Sequence, residues 1–293
     1  MSKYLKLFQN HSGYTTYMNG GEVFLPNVSY CETEMELHYN PIVDPYNGKS
    51  YVDLGLSSGT KWARTNVGAT VETDYGLYFA WGETTGYTSS QVGTDKNFSW
   101  SDYELGDGQS SAAHMTKYNS TDGKTTLDLE DDAAHVNMGG DWHMPSKEQM
   151  LELVAETTNG FVASNGTFTQ FAWSSEDGYS EPTETTASTG NTFGGVAGHL
   201  FFKSDVAIAT ALANGEYLFI PASGFCYIGS VHDVGVFGYV WSSSLSSENA
   251  LFAWSMSFDE GSLDVDYGDR YPGCTVRGVV GEIAQLPIAE PTE

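Results

Sequence analysis

The chain has 293 residues, of which 38 are acidic and 12 are Lys or Arg, so its formal net charge at pH 7 is −26. A surface this acidic repels phosphate backbones and anionic headgroups, which argues against nucleic acid and membrane surfaces as partners and favours a protein or glycan. Charged residues make up only 17% of the chain and aromatic residues reach 14%, which indicates a folded protein with a real core.

Residues 1–42 form a separate N-terminal segment. The stretches YLKLF, EVFLPNVSYC and MELHY predict strands, and the NGG motif at 19–21 predicts a turn. Turn signals at 40–41 and 44–48 mark a boundary, so we expect a main domain over 43–281 and a C-terminal tail over 282–293. No apolar run near the N-terminus is long enough for a secretory signal or a membrane span, and we expect neither.

The main domain opens with short strand signals in YVDLGLSSGTKWARTNVGA and YGLYFAWGE, separated by Gly, Ser and Asn. A polar insertion follows over residues 82–125 and shows little hydrophobic periodicity. Because regular secondary structure is not predicted there, we expect the aromatic side chains of the insertion to order it.

Two helices are predicted next. The first covers Leu129–Asn137, where acidic residues in the first turn favour the helix dipole and two glycines end the helix. The second begins after Ser146, which forms an S-x-x-Q capping box with Gln149. The apolar residues that follow fit one face of a helix, namely Met150, Leu151, Leu153 and Val154.

The remainder of the domain returns to strand signals separated by glycine and serine. The predicted strands are FAWSS, GHLFFK, GEYLFIPASG, YVWSSS, LFAWSMSF and CTVRGVV. The serines after Trp241 are expected to cap backbone groups with their hydroxyls. This mixture of helices and strands agrees with the α+β class but does not select it alone.

Several motifs taken together resemble the Fibrobacter succinogenes major paralogous domain, which is abundant in gut Bacteroidetes and their phages. They are YVDLGLSSGTKWARTNVGA, YGLYFAWGE, DDAAHVNMGGDWHMPSKEQMLEL, IPASG, YVWSSS and CTVRGV, spanning residues 49 to about 280. The most specific is the W-x-[LM]-P-[ST] run from Trp142 to Ser146, which enters a helix. The resemblance implies a C-type lectin-like domain of two helices, several short antiparallel strands and long loops, with a small β-rich segment before it.

The N-terminal segment is similar to the short leader of Bacteroides phage virion proteins, on the evidence of YLKLF, LPNVSYC and HYNP. This similarity implies a virion protein that is made in the host cytoplasm and needs no signal peptide. Residues 1–42 are then an attachment or oligomerisation segment that contacts other virion proteins. Related display proteins imply a homotrimer without membrane insertion, in which multivalency compensates for weak single sites.

The lectin-like resemblance extends to variable proteins of diversity-generating retroelements, in which adenine-directed mutagenesis changes Asn-type codons while a fixed frame is kept. It implies a frame here of Ile220, Pro221, Ala222, Gly224, Gly235, Gly238, Trp241 to Ser244, Ala250, Phe258, Val276 and Arg277.

The residues between frame positions, over 226–274, are then a diversified face that binds a host-surface protein or glycan receptor. All of their residue types are reachable from an Asn codon, and their mixture of Tyr and Phe with Ser, Asn and Asp is typical of a paratope. For each position the alternative is an ordinary loop residue. Trp254 is not reachable and is expected in the core. The predicted ligand-binding residues are Tyr227, His232, Asp233, Val236, Phe237, Tyr239, Leu245, Ser246, Ser247, Asn249, Phe252, Asp259, Ser262, Asp264, Asp266, Tyr267, Asp269 and Tyr271.

Enzymatic and metal-binding alternatives have weaker signals. Formylglycine-generating relatives use a cysteine pair close in sequence, whereas Cys226 and Cys274 are far apart. The histidines show no HxH or HExxH spacing, and no G-x-S-x-G elbow occurs. The acidic run over 264–269 has hard oxygen ligands for calcium but lacks the twelfth-position Glu of an EF-hand. We therefore expect a non-enzymatic protein without a cofactor, and keep a structural virion decoration or head-fibre protein and a bacterial surface adhesin as alternatives.

Overall fold

The structure is a computed structural model that describes residues 46–174 and 179–281, together with the backbone of residues 18–19 and 22–23. Contacts divide the chain into two units, Met1–Ile42 and Val43–Glu293. In the first unit, strands β1 (Met18–Asn19) and β2 (Glu22–Val23) pair antiparallel on either side of the predicted turn. The other predicted N-terminal strands and the tail over 282–293 lie outside the described residues.

The second unit mixes helices and strands, which confirms the α+β class. Its elements in chain order are β3 (Tyr51–Val52), β4 (Lys61–Ala63), α1 (Ala133–Met138), α2 (Lys147–Glu156), β5 (Thr157–Val162), β6 (Thr167–Ser174), β7 (Tyr179–Ser188), β8 (Gly198–Lys203), α3 (Ile208–Asn214), β9 (Tyr217–Pro221), β10 (Phe225–Tyr227), β11 (Ser230–His232), β12 (Gly238–Leu245), β13 (Phe252–Phe258), β14 (Leu263–Asp269) and β15 (Val279–Val280).

Eight of these strands form one antiparallel sheet in the order β12-β13-β14-β7-β6-β5-β8-β9. Strands β15, β4 and β3 form a three-stranded sheet, and β10 and β11 form a hairpin. In the described part of the chain, no helix is long and apolar enough to cross a bilayer.

Helix α2 begins where the sequence predicts. The Ser146 hydroxyl accepts the Gln149 amide at 3.2 Å, and the Gln149 side chain accepts the Ser146 amide at 2.9 Å, so both halves of the capping box form. Met150, Leu153 and Val154 are buried against the large sheet. The capping box and the apolar stripe therefore fix the position and orientation of this helix.

The expectation of two helices is wrong in number, because the described residues contain three α-helices. Helix α1 is shorter than predicted, since Leu129–Asp131 forms a 3-10 turn and Asp132 caps the helix through the His135 amide. Helix α3 was not predicted, although its alanine-rich sequence ends at Gly215 in the left-handed conformation. Strands β5, β7, β10, β11 and β14 are also absent from the sequence prediction.

Most of the frame residues are buried. Arg277 is fully buried and donates to the Asn66 side chain at 2.8 Å and to the carbonyls of Ala63 and Phe219. Burial lowers the pKa of this guanidinium to about 9. Arg277 thereby ties β4 to β9.

The insertion is ordered by its aromatic side chains, as expected, and also by polar contacts that the sequence does not predict. Phe98 and Tyr103 are buried in a cluster that also contains Cys226 from the β10–β11 hairpin. A buried ion pair joins Lys96 to Glu83 at 2.7 Å. The insertion therefore packs under the hairpin and supports it.

Candidate recognition surface

Exposed apolar side chains are concentrated in one short stretch. Nine large hydrophobic residues are exposed in the described part of the chain, and four of them fall within residues 227–236. These four are Tyr227, Ile228, Val234 and Val236. A contiguous exposed apolar patch on a protein surface commonly marks an interaction site.

The stretch is held rigidly by backbone hydrogen bonds. The β10–β11 hairpin turns at Ile228 and Gly229, which have φ of 44° and 74°, as a tight hairpin turn requires. The Cys226 amide donates to the Gly273 carbonyl at 2.7 Å, and the Gly229 amide donates to the Asn97 carbonyl at 2.7 Å. Two separate parts of the chain thus position the exposed tip.

Seven ring-bearing residues form a continuous line of contacts, which we name the aromatic strip. Ring centroids are 6.1 Å apart for Phe237 and Tyr239, and 5.2 Å apart for Tyr239 and Phe225. Phe225 lies 5.5 Å from His232. The line continues through Tyr227 and Tyr271 to Trp100, and its members are Trp100, Phe225, Tyr227, His232, Phe237, Tyr239 and Tyr271.

The strip meets a row of polar residues that crosses four strands of the large sheet. Strand pairing places Tyr239 opposite Ser257, Ser257 opposite Asp264, and Asp264 opposite Tyr179. Directly opposed residues share one face of a sheet, and all four are half-buried. We call Tyr239, Ser257, Asp264 and Tyr179 the Asp264 row, and the strip and the row together the recognition surface.

Carboxylates surround the Asp264 row. Partial burial, followed by the nearby Asp266 and Asp259, raises the pKa of Asp264. Burial also raises the pKa of Tyr239, with smaller contributions from Cys274 and then from Asp233, Asp259 and Asp264. The recognition surface therefore combines aromatic rings with uncompensated negative charge.

A second group of predicted binding residues lies at an open cleft beside the insertion. The cleft has a volume of about 580 Å³ and is lined by Ala112, Ala113, Asn119, Ser120, Gly123, Lys124, Thr125, Leu245, Ser246, Ser247, Glu248, Asn249 and Ala250. Leu245 and Ser246 are buried, so Ser247 and Asn249 offer more side-chain surface. The structure does not bring this group into the recognition surface.

A third group lies on the opposite face of β13 and β14. Phe252 and Trp254 contact the ring of Tyr267, with centroids 5.7 and 5.2 Å apart. The Lys147 ammonium lies 4.5 Å from the Trp254 ring centroid. Trp254 packs against the main core but is only half-buried. The predicted residue Asp269 lies on the same face, opposite Phe252 on the neighbouring strand. We name Lys147, Phe252, Trp254 and Tyr267 the Trp254 cluster.

Other predicted residues have local structural contacts. The Asp259 carboxylate accepts the amides of Gly261 and Ser262 at 2.7 and 2.8 Å and thereby shapes the β13–β14 turn. Tyr271 is buried and joins the strip to Trp100. Asp233 and Val236 lie exposed in the loop between β11 and β12.

The serines that follow Trp241 bond backbone groups, as predicted. The Ser242 hydroxyl donates to the Trp254 carbonyl at 2.8 Å, and the Ser244 hydroxyl accepts the Lys147 amide at 3.1 Å. All three serines are buried. This part of the chain is therefore frame, and the side chains that face solvent lie on either side of it.

Four surface residues were not among the predicted ones. Phe225 lies one position before the predicted range, and Ser257 lies inside that range but is not one of the predicted ligand-binding residues. Trp100 comes from the insertion and Tyr179 from β7, and no local signal in the sequence links either to strand β14. Only strand pairing and tertiary packing bring them together.

The acidic run over 264–269, which was weighed as a calcium site, lies on strand β14 and not in a loop. Alternation along β14 places Asp264 and Asp266 on one face and Asp269 on the other. Among the described residues, three carboxylates lie within ligating distance of one another at Asp128, Glu130 and Asp131. Lys117 already pairs with the last two, so this group is compensated by a protein cation.

The two described cysteines, Cys226 and Cys274, are buried free thiols. Burial raises the pKa of both, which disfavours the nucleophilic thiolate. Comparison of the chain with family models, with curated proteins and with solved structures finds no significant match.

Proposed function

We propose that the chain is a non-enzymatic display protein whose recognition surface binds a receptor, protein or glycan, on a Bacteroidetes host. The observation that carries this proposal is the aromatic strip beside the Asp264 row, in which Tyr227 and His232 are exposed and Phe225, Phe237 and Tyr239 are half-buried. Tyrosine and phenylalanine supply a large contact area with few rotatable bonds, and the aspartates and serines supply hydrogen bonds.

The resemblance supplies the setting of the proposal. The 43–281 domain is proposed to be C-type lectin-like and the 226–274 region to be diversified by a retroelement. The chain is further proposed to be a trimeric phage virion component that attaches through residues 1–42. The buried frame supports the proposed diversification, because Trp241, Ser242 and Arg277 lie in the core while neighbouring residues such as Ser247 face solvent.

Alanine substitution tests the binding role. Tyr227→Ala is expected to reduce adsorption of the purified full chain to host cells about tenfold, because exposed aromatic anchors dominate such interfaces. Tyr51→Ala is the matched control, since Tyr51 is 37% exposed and Tyr227 is 39% exposed but Tyr51 lies on the three-stranded sheet. Equal adsorption by the two variants and the wild type would refute the proposal and favour a structural decoration protein.

Population sequencing tests the diversification. Sequencing of this gene across a phage population is expected to show substitutions concentrated at adenines in codons 226–274, at surface residues such as Tyr227 and Phe237. Codons of the buried frame, such as those for Trp241 and Arg277, serve as the internal control. A uniform substitution rate would reject diversification and leave a protein with a fixed receptor or a fixed structural role.

A further inference from the structure

The charge around the recognition surface is one-sided. Between Lys203 and Arg270 the sequence contains nine Asp or Glu residues and no Lys or Arg. Within the described residues, Asp233, Asp259, Asp264 and Asp266 form no ion pair, and no Lys or Arg lies over a ring of the aromatic strip or over Tyr179.

Elsewhere the chain places its own cations on its aromatic rings. The Arg270 guanidinium lies 5.1 Å from the Trp81 centroid and 5.3 Å from the Tyr103 centroid. Lys147 occupies the equivalent position over Trp254. Such contacts are favourable because the ring face is electron-rich. The recognition surface has aromatic rings and carboxylates, but within the described residues no cation lies over its rings.

Strand geometry brings these groups within reach of one ligand group. Directly opposed side chains have Cβ atoms about 5 Å apart, so the Asp264 carboxylate lies beside Tyr179 and about two strand spacings from Tyr239. The residue between, Ser257, is small and leaves this part of the face open. A guanidinium pairs with a carboxylate and stacks on a ring at the same time, which a neutral sugar cannot do.

We infer that the recognition surface binds a protein partner that presents arginine side chains, with Asp264 pairing the guanidinium and Tyr239 and Tyr179 flanking it. This inference rests on the proposed function, because it specifies the chemistry of the same surface. It also disfavours anionic glycans, which the surrounding aspartates repel.

The test uses the full chain and a defined probe. The probe is the end-capped peptide Arg-Ser-Arg, and its control carries citrulline at both positions, which keeps the shape of the side chain without its charge. In calorimetric titrations at low salt, the arginine peptide is expected to bind at least about tenfold more tightly than the citrulline peptide. The difference is expected to shrink at about 0.15 M salt, because partly exposed charges are screened.

Variants separate a local site from general attraction to an acidic protein. Asp264→Asn is expected to weaken binding of the arginine peptide about tenfold, and Tyr239→Leu severalfold. Asp205→Asn is the matched control, because Asp205 is exposed and follows strand β8, four strands from β14. An equal loss of peptide affinity in Asp205→Asn would overturn the inference, and so would equal affinity for the two peptides. A third contrary result would be that millimolar calcium displaces the arginine peptide from the wild type and from Tyr239→Leu to the same extent.

Host-cell adsorption distinguishes the two proposals. If Tyr227→Ala abolishes adsorption and Asp264→Asn leaves adsorption and peptide binding unchanged, the surface binds a neutral ligand. The arginine inference then fails and the proposed function stands. If Asp264→Asn abolishes selective peptide binding while Tyr227→Ala leaves adsorption intact, the charge chemistry stands and the host-receptor role fails.

Discussion

Strands β12–β14 carry half-exposed aromatic side chains on both faces. The two faces differ in whether a cation of the chain lies over the electron-rich rings. On one face, the Trp254 cluster includes Lys147 from the first turn of α2. On the other face, Tyr239 and Asp264 have neither a Lys nor an Arg partner within the described residues. The first cluster is complete within the chain, and the second lacks a cation.

Residue type alone does not identify a binding face. Phe252 and Tyr267 have the same paratope-like composition as Phe237 and Tyr239, and all four lie within 226–274. The two pairs differ in whether a cation from another part of the chain lies over the rings of the same cluster. We therefore propose that recognition uses the Asp264 side, whereas the Trp254 side has a packing contact with α2.

Gly224 positions the β10–β11 hairpin next to β12, and its substitution is expected to change the free energy of unfolding more than any other change proposed below. Gly224 has φ of +68°, and a Cβ there would lie 2.0 Å from the His232 carbonyl oxygen. Gly224→Ala is expected to lower the free energy of unfolding by about 3 kcal/mol and to displace the aromatic strip while leaving the Trp254 cluster in place.

Gly235→Ala is the matched control, because Gly235 has φ of +79° but no atom within 4 Å of the added Cβ. Its expected cost is about 1 kcal/mol, from the left-handed backbone alone. Urea unfolding compares the variants. Equal losses would mean that the close approach of Gly224 to the hairpin is not required.

A smaller effect is expected on the compensated face. Lys147→Met keeps most of the aliphatic stem but removes the ammonium above Trp254, and we expect it to lower the free energy of unfolding by about 1 kcal/mol. Lys147→Arg is the control, since it retains the cation and the weak pairing with Glu148. Tryptophan fluorescence during urea unfolding measures both, and an unchanged Lys147→Met protein would show that the cation is not needed.

A cation can also be supplied to the other face. Ser257→Lys places an ammonium between Tyr239 and Asp264, and is expected to raise the free energy of unfolding by about 0.5 kcal/mol. It is also expected to abolish binding of the arginine peptide, because the site is then occupied from within. Ser257→Met controls for bulk, and the same loss of peptide binding with Met would indicate a steric effect and not a charge effect.

The sequence predicts the fold best where the signal is local. The capping box at Ser146 and Gln149 places α2 to the residue, because both partners lie in one turn. Strand β14 is absent from the sequence prediction, although Leu263, Val265 and Tyr267 alternate with Asp264 and Asp266. Its identity depends on pairing with β13 over seven residues, which composition does not reveal.

The candidate site was predictable to a similar extent. Residues of the β10–β11 hairpin and the following loop lie together because they are close in sequence, and they include Tyr227 and Phe237. Trp100 and Tyr179 join them only through tertiary packing. Leu245, Ser246 and Tyr271 have suitable residue types but are buried, and a list of residue types contains no information on burial.

The smallest expected effect is the pH dependence of the uncompensated carboxylate. Asp264 has a pKa above its ordinary value of 3.8, because of partial burial and then of Asp266 and Asp259. The residues opposite it on the neighbouring strands are Ser257 and Tyr179, Tyr239 lies one strand further along the row, and none of them is cationic. The folded state therefore binds this proton more tightly than the unfolded state does.

Such a group makes the protein less stable as the pH rises from 3.8 through the raised pKa. Asp264→Asn is therefore expected to be more stable than the wild type at neutral pH by a few tenths of a kcal/mol, since solvent still screens the half-buried carboxylate. This advantage disappears as the pH falls below 3.8. Urea unfolding of both proteins across this range measures it, with Asp205→Asn as the exposed control. A stability loss in Asp264→Asn at neutral pH would mean that the carboxylate already has a cationic partner in the protein, and the contrast between the two faces would then be wrong.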